Sequence, residues 1–196
     1  MKKLVGLTGK TGAGKSTVSA LLKEKGAYII DGDIVAREVL VDNGDLLKRL
    51  SEEFGCGIIN VDGTLNRRAL AKEAFSTPEK TEKLNSIMHP AINDAIFYEA
   101  EKAFLNYDVV IVDAAAIIES GFTEKSDYLV VVHAPTEIRR ERIIKRDGLS
   151  EADADVRING QKDDDFYLSK ADFIFKNFSP HNIEKQFSLL EKELFD

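Results

Sequence analysis

The segment Gly9-Lys10-Thr11-Gly12-Ala13-Gly14-Lys15-Ser16 fits G-x-x-x-x-G-K-[ST], a pattern whose chemistry is phosphate binding. Glycines let backbone N–H groups converge on phosphate oxygens, and a helix start beyond them adds further donors and the positive end of a dipole. Lys15 supplies a cation for the β- and γ-phosphates, and Ser16 offers a hydroxyl to Mg²⁺. Asp113 closes the apolar run at 109–112, which suits a metal-holding carboxylate and equally a turn or cap aspartate. Asp31 and Asp33 stand two apart, so an extended backbone points both the same way. One could take a proton from an attacking hydroxyl and the other orient water or substrate; Asp-Gly-Asp is also an ordinary turn. Arg139, Arg142 and Arg146 recur at i, i+3 and i+7, either a triphosphate clamp on one helix face or a solvated face among Glu137, Glu141 and Asp147. His89 before Pro90 reads as a substrate contact or as a structural helix start, Cys56 as a small packed side chain, and residues 162–165 as a solvated charge run.

These residues need a scaffold. Short continuous apolar runs at 4–7, 27–30, 109–112, 128–132 and 173–175 read as buried strands. Helical spacing follows at 17–25, 136–146 and 183–194, so strands alternate with helices and predict a parallel sheet covered on both faces. Helices at 67–75, 78–88 and 90–104 interrupt this rhythm and mark residues 60–105 as a helical insertion. The charged stretch 139–165 has few large apolar residues and reads as a mobile flap. The whole is expected to form one domain, residues 1–196.

Composition narrows the class. With 43% hydrophobic and 31% charged residues the chain is neither disordered nor fibrous, and no apolar run approaches a bilayer span. A net charge of −7 argues against nucleic acid or anionic lipid as partner. The single cysteine excludes an intrachain disulfide or a cysteine-built zinc cluster and, with no signal peptide recognisable, suits the cytoplasm.

Across nearly its whole length the sequence resembles the dephospho-CoA kinase family. The resemblance is carried by Val5-Gly6-Leu7-Thr8-Gly9 with the phosphate loop, by Asp31-Gly32-Asp33 through Arg37, and by Phe54-Gly55. It continues through 62–70, Leu84-Asn85, His89-Pro90-Ala91-Ile92, Arg142, Arg146-Asp147, Arg157-Ile158 with Gln161, and Ala171-Asp172 with Asn177. Ala115-Ala116-Ile117-Ile118 stands where the family commonly has Pro-Leu-Leu-Phe, with Glu119 kept, and Lys10-Thr11 replaces the more usual Gly-Ile.

The resemblance implies a three-layer P-loop kinase with a parallel central sheet, a helical acceptor-binding insertion at 60–105 and a lid at 139–165. It implies transfer of the γ-phosphoryl of ATP to the 3′-hydroxyl of the dephospho-CoA ribose, the last step of coenzyme A synthesis. Gly12, Ala13, Gly14, Lys15, Ser16 and Thr17 would cradle ATP, with Arg142, Arg146 and Asn177 beside it. Asp33 would be the general base, Lys15 and Arg142 would act on the transferring phosphoryl, and Ser16, Asp33 and Asp113 would serve Mg²⁺. Asp31, Arg67, Asn85, His89, Glu119, Arg157 and Gln161 would meet the acceptor. The expected partners are these small molecules alone, with the chain a monomer or small homo-oligomer. The alternatives are a related P-loop kinase of a nucleoside, nucleotide or shikimate-like alcohol, and a nucleotide-dependent switch. No Asn-Lys-x-Asp guanine-reading motif supports the switch.

Overall fold

The computed structural model describes residues 2–196. All five expected strands form: β1 (Lys3–Thr8), β2 (Tyr28–Asp31), β3 (Val109–Asp113), β4 (Tyr128–His133) and β5 (Phe173–Lys176), in the sheet order β2-β3-β1-β4-β5. β1 pairs in parallel with β3 and β4, and β4 with β5. The chain leaves β1 toward one edge of the sheet and later returns to the other side of β1. The crevice beyond the carboxyl end of β1 is therefore the topological switch point at which open α/β sheets bind ligands.

Helices α1 (Lys15–Glu24), α2 (Gly32–Asp42), α3 (Gly44–Phe54), α4 (Arg67–Ala74), α5 (Pro78–Ala103), α6 (Thr136–Asp147), α7 (Glu151–Asn159), α8 (Asp164–Leu168) and α9 (Ile183–Phe195) complete the order. The packing divides into two compact units. One comprises the residues up to Ile30 with Ala100–Asp196, and the other is Asp31–Glu99.

In the first unit Val5, Leu7, Ile111, Val130, Val132 and Phe175 are buried together with Val18 and Leu22 of α1 and Leu190 and Leu194 of α9. Each such side chain contributes about 1.5–3 kcal/mol of burial. The opposite direction is closed over Gly6, where an added Cβ would stand 3.0 Å from Leu129 Cδ1 and 3.1 Å from Ile117 Cδ1. Two aspartates fix where strands begin: Asp127 Oδ2 accepts from Leu4 N–H at 2.7 Å and Asp172 Oδ2 from Leu129 N–H at 2.8 Å. The second unit has its own core of Leu46, Leu50, Ile58, Leu70, Ala74, Ile87 and Met88.

The structure adds detail to three expectations. The helical unit starts at Asp31, ahead of residue 60, because Asp31 caps α2: its Oδ1 accepts from Asp33 N–H at 2.9 Å and Ile34 N–H at 3.0 Å. The helices expected at 78–88 and 90–104 are one, with Pro90 inside α5. Proline there removes a single N–H, and its place on an exposed face leaves the orphaned carbonyl one turn back to water. The stretch 139–165 holds most of α6 and all of α7, which bury Ile143, Ala154 and Ile158 against one another. Its charged residues other than Arg139 are exposed or half-buried around this small two-helix core.

Candidate active site

The phosphate loop is shaped by residues that leave no room for side chains. Gly12 and Gly14 have φ of 80° and 94°, in the left-handed region that glycine enters without cost. A Cβ on Gly12 would lie 2.7 Å from the Arg139 carbonyl oxygen, and one on Gly14 would lie 2.0 Å from Asn177 Nδ2. Gly14→Ala should therefore weaken ATP binding at least about tenfold in a calorimetric titration, since a left-handed alanine alone costs about 1–2 kcal/mol. An unchanged Kd would show that the loop adapts at little cost.

At the start of α1, Gly14 is the N-cap and no side chain caps the helix. By contrast α2, α3, α4, α7, α8 and α9 are capped by Asp31, Asn43, Asn66, Ser150, Asp163 and Asn182. The first amides of α1 thus keep donor capacity for an anion, and the first turn carries no acidic side chain to repel one. Lys15 Nζ donates to Asp113 Oδ1, joining the ends of the loop and of β3. The hydroxyls of Ser16 and Thr17 lie on exposed residues of that first turn.

Ser16 Oγ and the Asp113 carboxylate are hard oxygen donors, which fits Mg²⁺. Among the described residues no group of three or more His, Cys, Asp or Glu could hold a metal. A set with so few protein oxygens suits Mg²⁺, which usually keeps several waters and takes ligands from substrate phosphates.

The arginines expected on one face of α6 have three different duties. Arg139 is 1% exposed, too buried to clamp a triphosphate; its Nε donates to Ala134 O and its Nη2 to Thr136 Oγ1, both at 3.0 Å. Arg142 Nη1 donates to the carbonyls of Gly12 at 3.3 Å and Ala13 at 3.2 Å, and Nη2 to Asn177 O at 2.8 Å. Asn177 Nδ2 adds a bond to Ala13 O at 2.9 Å. Arg142 and Asn177 thus come together on the carbonyl side of the loop. Arg146 donates twice to Asp147, through Nε and Nη2 at 2.7 Å each, and Arg157 Nη1 reaches the same carboxylate at 2.7 Å. The Arg146 hydrogen bond, with both arginine charges, holds the Asp147 carboxyl below the usual carboxylate range.

Gln161, expected at the acceptor, accepts through its Oε1 from Thr11 N–H of the phosphate loop at 2.9 Å. Glu119 is exposed in the turn after β3, and its charge adds to burial in pushing the Tyr167 hydroxyl up to about 12. Next to it Ala115 and Ala116 are exposed while Ile117 and Ile118 turn inward at 2% and 6% exposure. Most of the apolar surface of that segment therefore serves the core.

Within the helical unit, Asp31 is engaged as the cap of α2, and Asp33 is exposed in the first turn of that helix, not in an extended segment. Arg67 Nη2 donates to Arg37 O at 3.1 Å. Asn85 and His89 are half-buried one turn apart on α5. A groove in this unit is lined by Val39, Leu46, Arg49, Pro90, Asp94 and Tyr98 and includes none of Arg67, Asn85 or His89.

Sequence reasoning passed over Asp164. It sits in the supposed solvated run 162–165, where Asp163 caps α8 and Asp164 Oδ1 lies 3.1 Å from Lys10 Nζ. Nothing local in the sequence pairs Lys10 with a residue so much later in the chain.

A family model described as dephospho-CoA kinase matches residues 3–182. A dephospho-CoA kinase of Corynebacterium jeikeium is 44% identical over 176 residues, covering 88% of this chain and 89% of that protein. The crystal structure of TT1252 from Thermus thermophilus superposes with a TM-score of 0.80 at 30% identity, covering 100% of this chain and 99% of that one. A dephospho-CoA kinase from Campylobacter jejuni does so with a TM-score of 0.69 at 26% identity, covering 98% and 97%. The match runs through the phosphate loop, both acidic strand ends and the helices between them, and on that extent the chain belongs to the dephospho-CoA kinase family.

Proposed function

We propose that this chain transfers the γ-phosphoryl group of ATP to the ribose 3′-hydroxyl of dephospho-CoA, giving coenzyme A and ADP. The observation that carries the reading is family membership over residues 3–182, joined to a phosphate loop whose helix start no side chain caps. The bond from the γ-phosphorus to the β–γ bridging oxygen breaks, a bond to the ribose oxygen forms, and the hydroxyl proton passes to the Asp33 carboxylate.

Residues 12–17 hold the triphosphate through backbone N–H groups, Lys15 and the Ser16 and Thr17 hydroxyls, while Arg142 and Asn177 border the nucleotide. Ser16 and Asp113, with Asp33 in support, would hold Mg²⁺, which would supply charge neutralisation on the phosphates. Asp31, Arg67, Asn85, His89, Glu119, Arg157 and Gln161 are the candidates for acceptor recognition, and the 139–165 segment acts as the lid, with Arg146 serving the nucleotide from it. No helix among the described residues is long and apolar enough to cross a membrane. The reading places the chain in the cytoplasm, acting on small molecules as a monomer or small homo-oligomer.

The test is ADP release with Mg-ATP and each of dephospho-CoA, adenosine, AMP, cytidine and shikimate, with product masses determined. Phosphorylation of dephospho-CoA to the mass of coenzyme A is expected. Preference for another acceptor would overturn the substrate while leaving the kinase chemistry, and hydrolysis with no acceptor phosphorylated would favour a switch.

A further inference from the structure

Lys10 lies in the phosphate loop, and its side chain is only 12% exposed. Its ammonium meets Asp164, the first residue of α8, at 3.1 Å. The same carboxylate oxygen is 3.9 Å from Arg139 Nη2. Arg139 is itself buried, and its Nη1 has no hydrogen-bond partner among the described residues, so the guanidinium depends on nearby charge for compensation. Burial pushes Arg139 below its ordinary value, and Asp164 heads the anionic groups that oppose this. One carboxylate therefore sits between two cations in a partly desolvated setting, where charge pairing is worth more than at an open surface.

The neighbouring contacts give the carboxylate leverage on the loop. Three residues before Asp164, Gln161 accepts from Thr11 N–H, so the short segment 161–164 grips two consecutive loop residues. On the other side, the Arg139 backbone packs where a Cβ on Gly12 would go. The loop between Gly9 and Gly12 is thus held from α6 and from the start of α8.

We infer that Asp164 is a positioning residue for nucleotide binding, a tether that holds Lys10 and with it the phosphate loop in the conformation that receives phosphate, while the Arg139 charge 3.9 Å away favours the carboxylate at that place. Without the tether the loop samples conformations whose N–H groups diverge, and affinity falls by the fraction of time spent in them. The nucleotide part of this inference rests on the proposed function; the loop part does not.

The test is a double-mutant cycle with Asp164→Asn, Lys10→Met and both together, read by amide hydrogen exchange of residues 9–14 without nucleotide and by direct ATP and ADP titration. Asp164→Asn should speed exchange and raise the ATP Kd by about fivefold to tenfold, with kcat at saturating ATP changed less than about threefold. Lys10→Met should do the same to a smaller degree. Added to Lys10→Met, Asp164→Asn should change either quantity by less than about twofold, because the tether is already gone. Asp164→Glu, which keeps the charge, should restore part of the affinity, and it carries the test if the asparagine variant does not fold. Multiplying effects in the double variant would overturn the tether, as would exchange at wild-type rates in Asp164→Asn. Unaltered exchange in every variant, with wild-type protein failing to bind ATP, would overturn both this inference and the functional reading. Faster exchange with no ATP binding by the wild type would overturn the functional reading alone.

Discussion

Asp33→Asn is expected to lower kcat by about 10²–10³ while the ATP Kd moves by less than about twofold, the range of a lost general base. The two aspartates of the Asp-Gly-Asp segment are not equivalent. Asp31 is committed to the start of α2, with its Oδ1 shared between two backbone N–H groups, whereas Asp33 presents its carboxylate from an exposed position in the first turn. Asparagine keeps the shape and much of the hydrogen-bonding capacity but can neither hold the hydroxyl proton nor support Mg²⁺ with a full charge. A hydrogen bond merely weakened is worth about 0.5–1.5 kcal/mol, roughly tenfold at most, so magnitude separates the two roles. Single-turnover rates with saturating ATP and dephospho-CoA would decide it. A loss under about tenfold would remove Asp33 as base and leave it a positioning group.

The difference between Asp31 and Asp33 also shows what the sequence could and could not convey. The five strands were legible because a parallel strand buried on both faces must be continuously apolar, and 109–112 and 128–132 contain nothing else. The phosphate loop was legible because its demand for glycine is local: Gly12 and Gly14 answer to their own φ as well as to atoms far away in sequence. The start of α2 was not, since an aspartate, a glycine and an aspartate serve a turn and a helix cap equally well until the next turn of helix has packed. Pro90 misled for a similar reason, because one lost hydrogen bond is minor against the other turns of a 26-residue helix.

The site was less legible than the scaffold wherever a role depends on a distant partner. The spacing of Arg139, Arg142 and Arg146 correctly indicated a helix but not that the first is buried, the second spent on loop carbonyls and the third on Asp147. Gln161 and Asp164 reach residues 150 or more positions earlier in the chain, Thr11 and Lys10. No periodicity encodes such pairs. The family resemblance placed Gln161 near function without showing that it holds the loop.

Lys15→Met is expected to have the larger effect of the two on phosphoryl transfer, about 10³ in kcat, with ATP binding weakened as well. Methionine reproduces most of the length and apolar stem, so the loop keeps its packing and only the ammonium is removed. Losing one donor aimed at developing charge costs about 10²–10³, and here a second penalty is added. Lys15 Nζ donates to Asp113, so removing the ammonium also takes one cation from beside that carboxylate. The first loss falls on the transition state, the second on ground-state binding as well, so kcat and Kd should both suffer, unlike in Asp33→Asn. Lys15→Arg should recover binding better than turnover, because a planar fork keeps the charge but cannot place it as a compact ammonium does. Transfer rates and nucleotide affinities measured on the same preparations check the split. A Lys15→Met protein with kcat within tenfold of wild type would mean that the backbone N–H groups of the loop and the uncapped start of α1 carry the phosphate chemistry without it.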